Sequence, residues 1–189
     1  MIDVDDCRAT SDLAGVDSET PRESQTLRLP PGRLDPLASW ADGTALAAAA
    51  RVREPRGERG RERIALVCNE WSDGWLPPGG AVDPGETCRA AARREVREET
   101  GLDATVQRPL VVLQQSYVDA TTDEERFTAR YVVYDATATG SIPPADDLGV
   151  HATEIEAARW FETPPENLHD GELLRPYLDV RRRSERDSL

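Results

Sequence analysis

The chain has no lysine; all 23 of its basic residues are arginine. Cysteine is scarce too. Cys7, Cys68 and Cys88 are too few and too scattered for a zinc site or a disulfide scaffold. They read as free thiols, with Cys68 and Cys88 as core fillers. The two histidines, His151 and His169, stand alone and are assigned no role. No apolar run approaches the ~20 residues that span a bilayer. No basic-then-apolar start marks a secretory leader. These absences point to a cytoplasmic protein. The net charge of −13 offers no positive field to nucleic acid or to an anionic membrane, so neither is expected as a partner. Acidity without lysine, together with abundant alanine and arginine, matches the composition of salt-loving microbes, although codon bias alone would also produce it.

What is present supports one globular domain with a real core in 189 residues, plus a tail. Residues 1–26 are acidic and polar and read as a flexible leader. Residues 27–183 read as the domain and 184–189 as a tail. Pro30-Pro31-Gly32 and Pro36 make 27–40 look like loop, with one short element ending at Trp40. Ile64 to Cys68 is a strand. Thr105 to Tyr117 is a strand broken at Pro109, and Arg126 to Tyr134 is its hairpin partner across a polar loop. Glu154 to Phe161 is a last strand. Thr163-Pro164-Pro165 is expected to open a short helix. Asp170 is expected to cap a final helix that presents Leu173, Leu174, Tyr177 and Leu178, with Pro176 kinking it or delaying its start.

The most informative stretch is Gly80 to Leu102, GAVDPGETCRAAARREVREETGL. Thr87 is suited to cap a helix there, with Asp83 as a rival, and Gly101 to end it. At about 100° per residue, Glu95, Glu98 and Glu99 share one arc of that helix. Cys88, Ala91 and Ala92 lie on the same arc; Arg89, Arg93 and Arg97 lie on another. A helix buries its small apolar stripe, and here that stripe runs into a cluster of acids. Buried anions must be paired, protonated or metal-bound. Clusters of oxygen ligands suit hard cations such as Mg²⁺, above all beside phosphates. The bland alternative is a solvated acidic helix end.

The same residues carry a family resemblance. Gly80, Glu86, Arg94, Glu95, Val96, Glu98, Glu99, Gly101 and Leu102 fill G-x5-E-x7-R-E-U-x-E-E-x-G-U, where U is aliphatic, without a departure. This stretch resembles the Nudix box, and looser likeness extends from about Ala45 to Trp160. The resemblance implies an α/β fold, an α/β/α sandwich around a central mixed β-sheet. It implies that residues 45–53, where five alanines would favour helix, form a strand paired with 64–69. It implies Mg²⁺-dependent hydrolysis, with Mn²⁺ as a substitute, of the pyrophosphate in a nucleoside diphosphate linked to another moiety.

By matched position, the resemblance makes Glu98 and Glu99 metal ligands. Glu95 becomes a ligand or the activator of water, Arg94 the residue that holds these carboxylates, and Gly79 a carbonyl ligand. Gly80, Glu86 and Gly101 are structural. Glu154 is the expected extra acid, with Glu124 and Glu125 behind it. Trp71, Tyr117 and Arg126 are candidate substrate contacts, though a core role is the better reading of Tyr117, and Trp75 is expected to pack under the Pro-Pro turn. Dimers are common among such proteins, so a homodimer stays open. Two rivals stand beside the enzyme: a catalytically silent nucleotide-sensing module and a hydrolase of diphosphates without a nucleoside.

Overall fold

The computed structural model describes residues 13, 15–41, 45–55, 60–69, 72–149 and 155–179. Seven strands form one sheet: β1 (Arg22–Leu29), β2 (Leu46–Glu54), β3 (Arg63–Asn69), β4 (Gly79–Ala81), β5 (Thr105–Asp119), β6 (Glu125–Thr137) and β7 (Ile155–Phe161). Their order is β1-β5-β6-β2-β3-β7, with β4 paired to β2. β1 runs parallel to β5, and β2 runs parallel to β6. The remaining pairings are antiparallel, so the sheet is mixed.

Helix α2 (Cys88–Thr100) covers one face. Its Cys88, Ala91, Ala92 and Val96 pack on Ala48, Ala50, Val52, Val112, Val132 and Tyr134. This explains the alanine-rich strand. Ala48 and Ala50 are fully buried beneath the helix, and small side chains let helix and sheet approach. Burial between neighbours overrides helix propensity, since strand preference is largely a matter of fit to a packed surface. Two helices lie on the other face. α3 (Gly171–Leu178) contributes Leu174 and Leu178 over Ile64, Leu66, Val111 and Val133. α1 (Pro31–Ala41) inserts Leu34 beside Ala45, Tyr117 and Ala129. The result is the expected sandwich.

Four local expectations differ from the structure. Residues 31–41 are helical, with Pro36 inside and Pro31 in the first turn, where a missing N–H is tolerated. β5 passes through Pro109 without ending; its register with β6 shifts on either side of that residue instead. No helix opens at Thr163, because the segment before α3 is irregular and pairs through Trp75 N–H to the Asn167 carbonyl at 2.9 Å. α3 starts at Gly171 and contains Pro176. Asp170 stands at its N-cap position but makes no side-chain capping bond; its carboxylate accepts instead from Gln25 at 3.2 Å and Gln115 at 2.8 Å.

The boundary expected at residue 26 falls inside β1. Arg22 to Leu29 pair residue by residue with Val112 to Asp119, and Leu13 joins the core under α2. Besides the Gln25 contact with Asp170, the Tyr177 hydroxyl donates to Glu23 at 2.7 Å, tying β1 to α3. Sheet and α3 are joined again by Arg51, which donates to Asp135 at 2.9 Å and to the Tyr177 carbonyl at 2.7 Å. Arg53 also grips Asp135, at 2.8 and 3.0 Å. Burial alone would raise the Asp135 pKa. The hydrogen bonds from Arg53 and the charge of Arg51 outweigh it and hold the carboxyl below its ordinary value.

Candidate active site

The site is built where β4 meets α2. β4 pairs Gly79, Gly80 and Ala81 with Ala49, Ala48 and Ala47 of β2. The preceding turn is fixed by Ala50 N–H donating to the Pro78 carbonyl at 3.0 Å. Just before the turn, Trp75 meets Phe161 edge to face at 4.7 Å. The chain then folds back into α2. Thr87 supplies the cap, its hydroxyl accepting from Ala90 N–H at 3.2 Å. Asp83 does not cap the helix; its carbonyl accepts from Glu86 N–H at 2.9 Å and closes the turn. Gly101 ends the helix with φ 69°, a left-handed cap that favours glycine.

The helix carries its polarity as its period dictates. Arg89, Arg93 and Arg97 are exposed, and Cys88, Ala91, Ala92, Val96 and Glu99 are buried. The side chains of Glu95 and Glu98 keep 12% and 30% of their surface. All three carboxylates thus lean inward to different degrees. Glu99, at 4% exposure, accepts from Gly79 N–H at 2.8 Å.

Arg94 holds the rest together. One guanidinium nitrogen donates to Glu95 at 2.7 Å and to Glu98 at 3.1 Å. A second donates to Glu86 at 2.9 Å and to the Ala81 carbonyl at 2.9 Å. The third reaches Glu86 at 3.2 Å. Such charge-assisted, multidentate bonds are the strong ones. Their effect shows on both partners. The hydrogen bonds from Arg94 hold the Glu86 carboxyl below its ordinary value, and the Glu86 contact pushes Arg94 further toward its charged form. Glu86 also accepts from Asp83 N–H at 3.3 Å, anchoring the corner between β4 and α2.

The end of the helix is held from outside. Its last carbonyls lack partners within the helix. Val96 receives the Thr100 hydroxyl, Arg97 receives Gly101 N–H at 2.9 Å, and Glu98 receives Gly149 N–H at 2.8 Å. The Gly149 contact, from the loop between β6 and β7, had no signal in the sequence, because it joins residues far apart through backbone atoms alone.

Among the described residues, no three His, Cys, Asp or Glu side chains are drawn close enough to hold a metal ion. The donor chemistry nonetheless fits a hard cation: Glu95, Glu98, Glu99 and the Gly79 carbonyl offer only oxygen. Trp71 and Glu154 lie outside the described residues. Tyr117 is 5% exposed and stacked on Phe127 at 4.5 Å, and its hydroxyl donates to Gln115 at 2.8 Å. It fills the core, the better of its two expected roles. Arg126 sits between Asp119 and Asp35, each at 3.6 Å. It lies six residues down β6 from Val132, the neighbour of Ala48, or roughly 20 Å along the strand from the glycine turn. Glu124 and Glu125 are exposed at that same remote hairpin end.

Fold and site together define an α/β/α domain in which one helix sets a row of carboxylates against a glycine turn. A family model described as the NUDIX domain matches residues 29–175, and the chain belongs to that family. Mouse diphosphoinositol polyphosphate phosphohydrolase 3-alpha is 38% identical over 61 residues, 32% of this chain and 37% of its own length. The nucleoside triphosphatase NudI of Enterobacter sp. (strain 638) is 37% identical over 82 residues, 37% of this chain and 57% of its own length. The chain thus spans less than two thirds of the curated relatives it matches. The NUDIX domain of Shewanella oneidensis NrtR, solved with ADP ribose, shares the fold at a TM-score of 0.50 and 15% identity, over 75% of this chain and 86% of that one.

Proposed function

We propose that the protein hydrolyses the pyrophosphate bond of a nucleoside diphosphate linked to another moiety, with Mg²⁺ as cofactor and Mn²⁺ as its substitute. The observation that carries the reading is the arrangement around Arg94 and the glycine turn: four glutamates and one guanidinium, gathered on a single partly buried edge. Glu95, Glu98 and Glu99, with the Gly79 carbonyl, are the residues that would hold the metal. A divalent ion bound there supplies a Lewis acid for the phosphate oxygens and lowers the pKa of bound water. The chain's own groups do the rest. Arg94 fixes the rotamers of Glu95 and Glu98, and Gly79 N–H fixes Glu99. Glu95, whose carboxylate lies against Gly80, is the group we assign to take a proton from water. Preorganised carboxylates need little rearrangement as charge develops.

Two assays test this. EDTA is expected to abolish hydrolysis of a pyrophosphate panel, and Mg²⁺ or Mn²⁺ to restore it; chelator-resistant turnover would contradict the reading. Glu98→Gln, at a partly exposed position, is expected to lower kcat by orders of magnitude while leaving the melting curve in place. One observation favours a second reading. Tyr117 and Trp75 are both committed to packing, which leaves no described candidate among them to stack on a base, so diphosphates without a nucleoside belong in the panel. No helix among the described residues is long and apolar enough to cross a membrane. We place the protein in the cytoplasm of a salt-rich cell. At a net charge of −13, its melting temperature is expected to rise with added NaCl as self-repulsion is screened.

A further inference from the structure

We propose that Trp160 is a positioning residue for the carboxylate helix, acting through the loop that joins β6 to β7. The inference rests on the proposed metal-dependent hydrolysis for its second half only. The described part of the loop, residues 138–149, is pinned at two points. At its start, Trp160 Nε1 donates to the Gly140 carbonyl at 3.0 Å, and Gly140 N–H reaches Glu54 at 3.4 Å. Arg63 stacks over the Trp160 ring at 5.5 Å and also bonds Glu54 at 2.9 Å, so these anchors brace one another. Further along, Gly149 N–H meets the Glu98 carbonyl at 2.8 Å. Between them the loop lies against the helix cap. Pro143 and Leu148 sit beside Gly101, where an added Cβ would come within 3.0 Å of the proline ring. Leu148 is 6% exposed.

The consequence follows from helix physics. The last turn of a helix is where fraying begins, because its carbonyls have no intrahelical partner. Here that turn carries Glu98 and Glu99. The loop supplies the one missing partner for the Glu98 carbonyl and packs over the cap. Trp160 holds the loop through the Gly140 carbonyl. Whatever sets the loop therefore sets the order of the turn from which both side chains project. A misplacement near 1 Å at such a site costs on the order of 100-fold in rate.

Trp160→Phe keeps the ring and removes the N–H donor. Hydrogen exchange on metal-free protein is the primary reading. The amides of Glu99, Thr100 and Gly101 are expected to exchange at least ~10-fold faster in the variant, with Ala91 and Ala92 unchanged. Calorimetric titration with Mn²⁺ alone is the second reading. Its dissociation constant is expected to rise several-fold, with KM for substrate within about twofold and the rate recovered at high Mn²⁺. Trp160→His, which keeps a ring N–H, is expected to restore part of both effects. Unchanged exchange in the last turn overturns the proposal. So does faster exchange with unaltered Mn²⁺ affinity, since the loop would then be structural only. A wild-type protein that binds no Mn²⁺ overturns the hydrolase reading instead, and the exchange result still decides whether Trp160 orders the turn.

Discussion

Gly80→Ala is the sharpest test of how the site is held. A Cβ built on Gly80 falls 2.5 Å from Glu95 Oε1, 2.7 Å from its Cδ and 2.9 Å from Oε2. Ordinary carbon–oxygen contact needs roughly 3.3 Å, so the carboxylate must retreat by about 0.8 Å. It is the tip of a side chain and has room to turn, but it cannot turn and also keep its 2.7 Å bond to Arg94. Losing or stretching a hydrogen bond between charged groups costs about 1.5–3 kcal/mol. In a domain of this size that corresponds to a melting temperature lower by roughly 3–12 °C. The effect on turnover should be larger in free-energy terms, because displacement by nearly 1 Å is worth on the order of 100-fold.

Gly79→Ala supplies the contrast. There the added Cβ meets Ala49 Cβ at 2.5 Å and the Ala48 carbonyl at 2.6 Å. These belong to the sheet and cannot move aside, so β4 must part from β2. Overpacking against backbone costs typically ~1–3 kcal/mol and occasionally more. The assay is steady-state phosphate release with Mg²⁺, run beside thermal melts of both variants. Gly80→Ala is expected to lose activity out of proportion to stability, and Gly79→Ala to lose stability first. Wild-type kcat in Gly80→Ala would refute the idea that Glu95 is fixed in a working position against the turn.

Two further outcomes are expected. The Glu86 carboxyl is held below its ordinary value of 4.5 by Arg94, so its contribution to stability is full above that pH and fades as pH falls through the lower folded value. Melting temperature should accordingly drop in acid below about pH 4.5, and Glu86→Gln should shallow that drop; identical acid profiles would count against the contact. Deleting residues 1–26 removes five of the eight residues of β1, with the Glu23–Tyr177 and Gln25–Asp170 bonds, and uncovers the buried Gln115. A loss of at least ~1 kcal/mol is expected from the two lost hydrogen bonds alone, read by denaturant unfolding, whereas an unchanged midpoint would make the segment the dispensable leader its composition suggests.

The box was legible because its chemistry is local. Thr87, Gly101, the exposed arginines and the buried stripe all follow from a period of 3.6 residues and from cap preferences, and each appears in the structure as read. The alanine strand was legible only through the family, because its propensity points the other way and its strand form depends on being pressed beneath α2. β1 was hidden for a different reason. Its side chains alternate between exposed and half-buried positions, since one edge and one side of this strand stay open. Its apolar content is therefore too low to stand out, and its place is fixed by pairing with β5, ninety residues away. Tyr117 fills the core, as its place in a strand suggested, and Arg126 pairs with acidic residues far from the box. Sequence distance from the box says nothing about position on the sheet, and the hairpin carries both toward its far end.

The acids themselves need a narrower statement than composition allowed. A cluster of inward-leaning glutamates requires a cation, and Arg94 is one. It reaches Glu86, Glu95 and Glu98, while a backbone N–H serves Glu99. Arg94 therefore explains how the helix folds with this pattern, and the oxygen-only donor set of Glu95, Glu98, Glu99 and the Gly79 carbonyl is what would suit a divalent ion there. The two roles are separable by experiment. Arg94→Gln should destabilise the fold at neutral pH whether or not metal is added, since the bonds to Glu86 and the Ala81 carbonyl are lost and Mg²⁺ has no means of replacing the latter. Glu98→Gln should spare the fold and weaken the response to metal. If added Mg²⁺ fully rescued the melting temperature of Arg94→Gln, the guanidinium would be no more than a stand-in for the ion, and the view of it as the fixed frame of the site would fall.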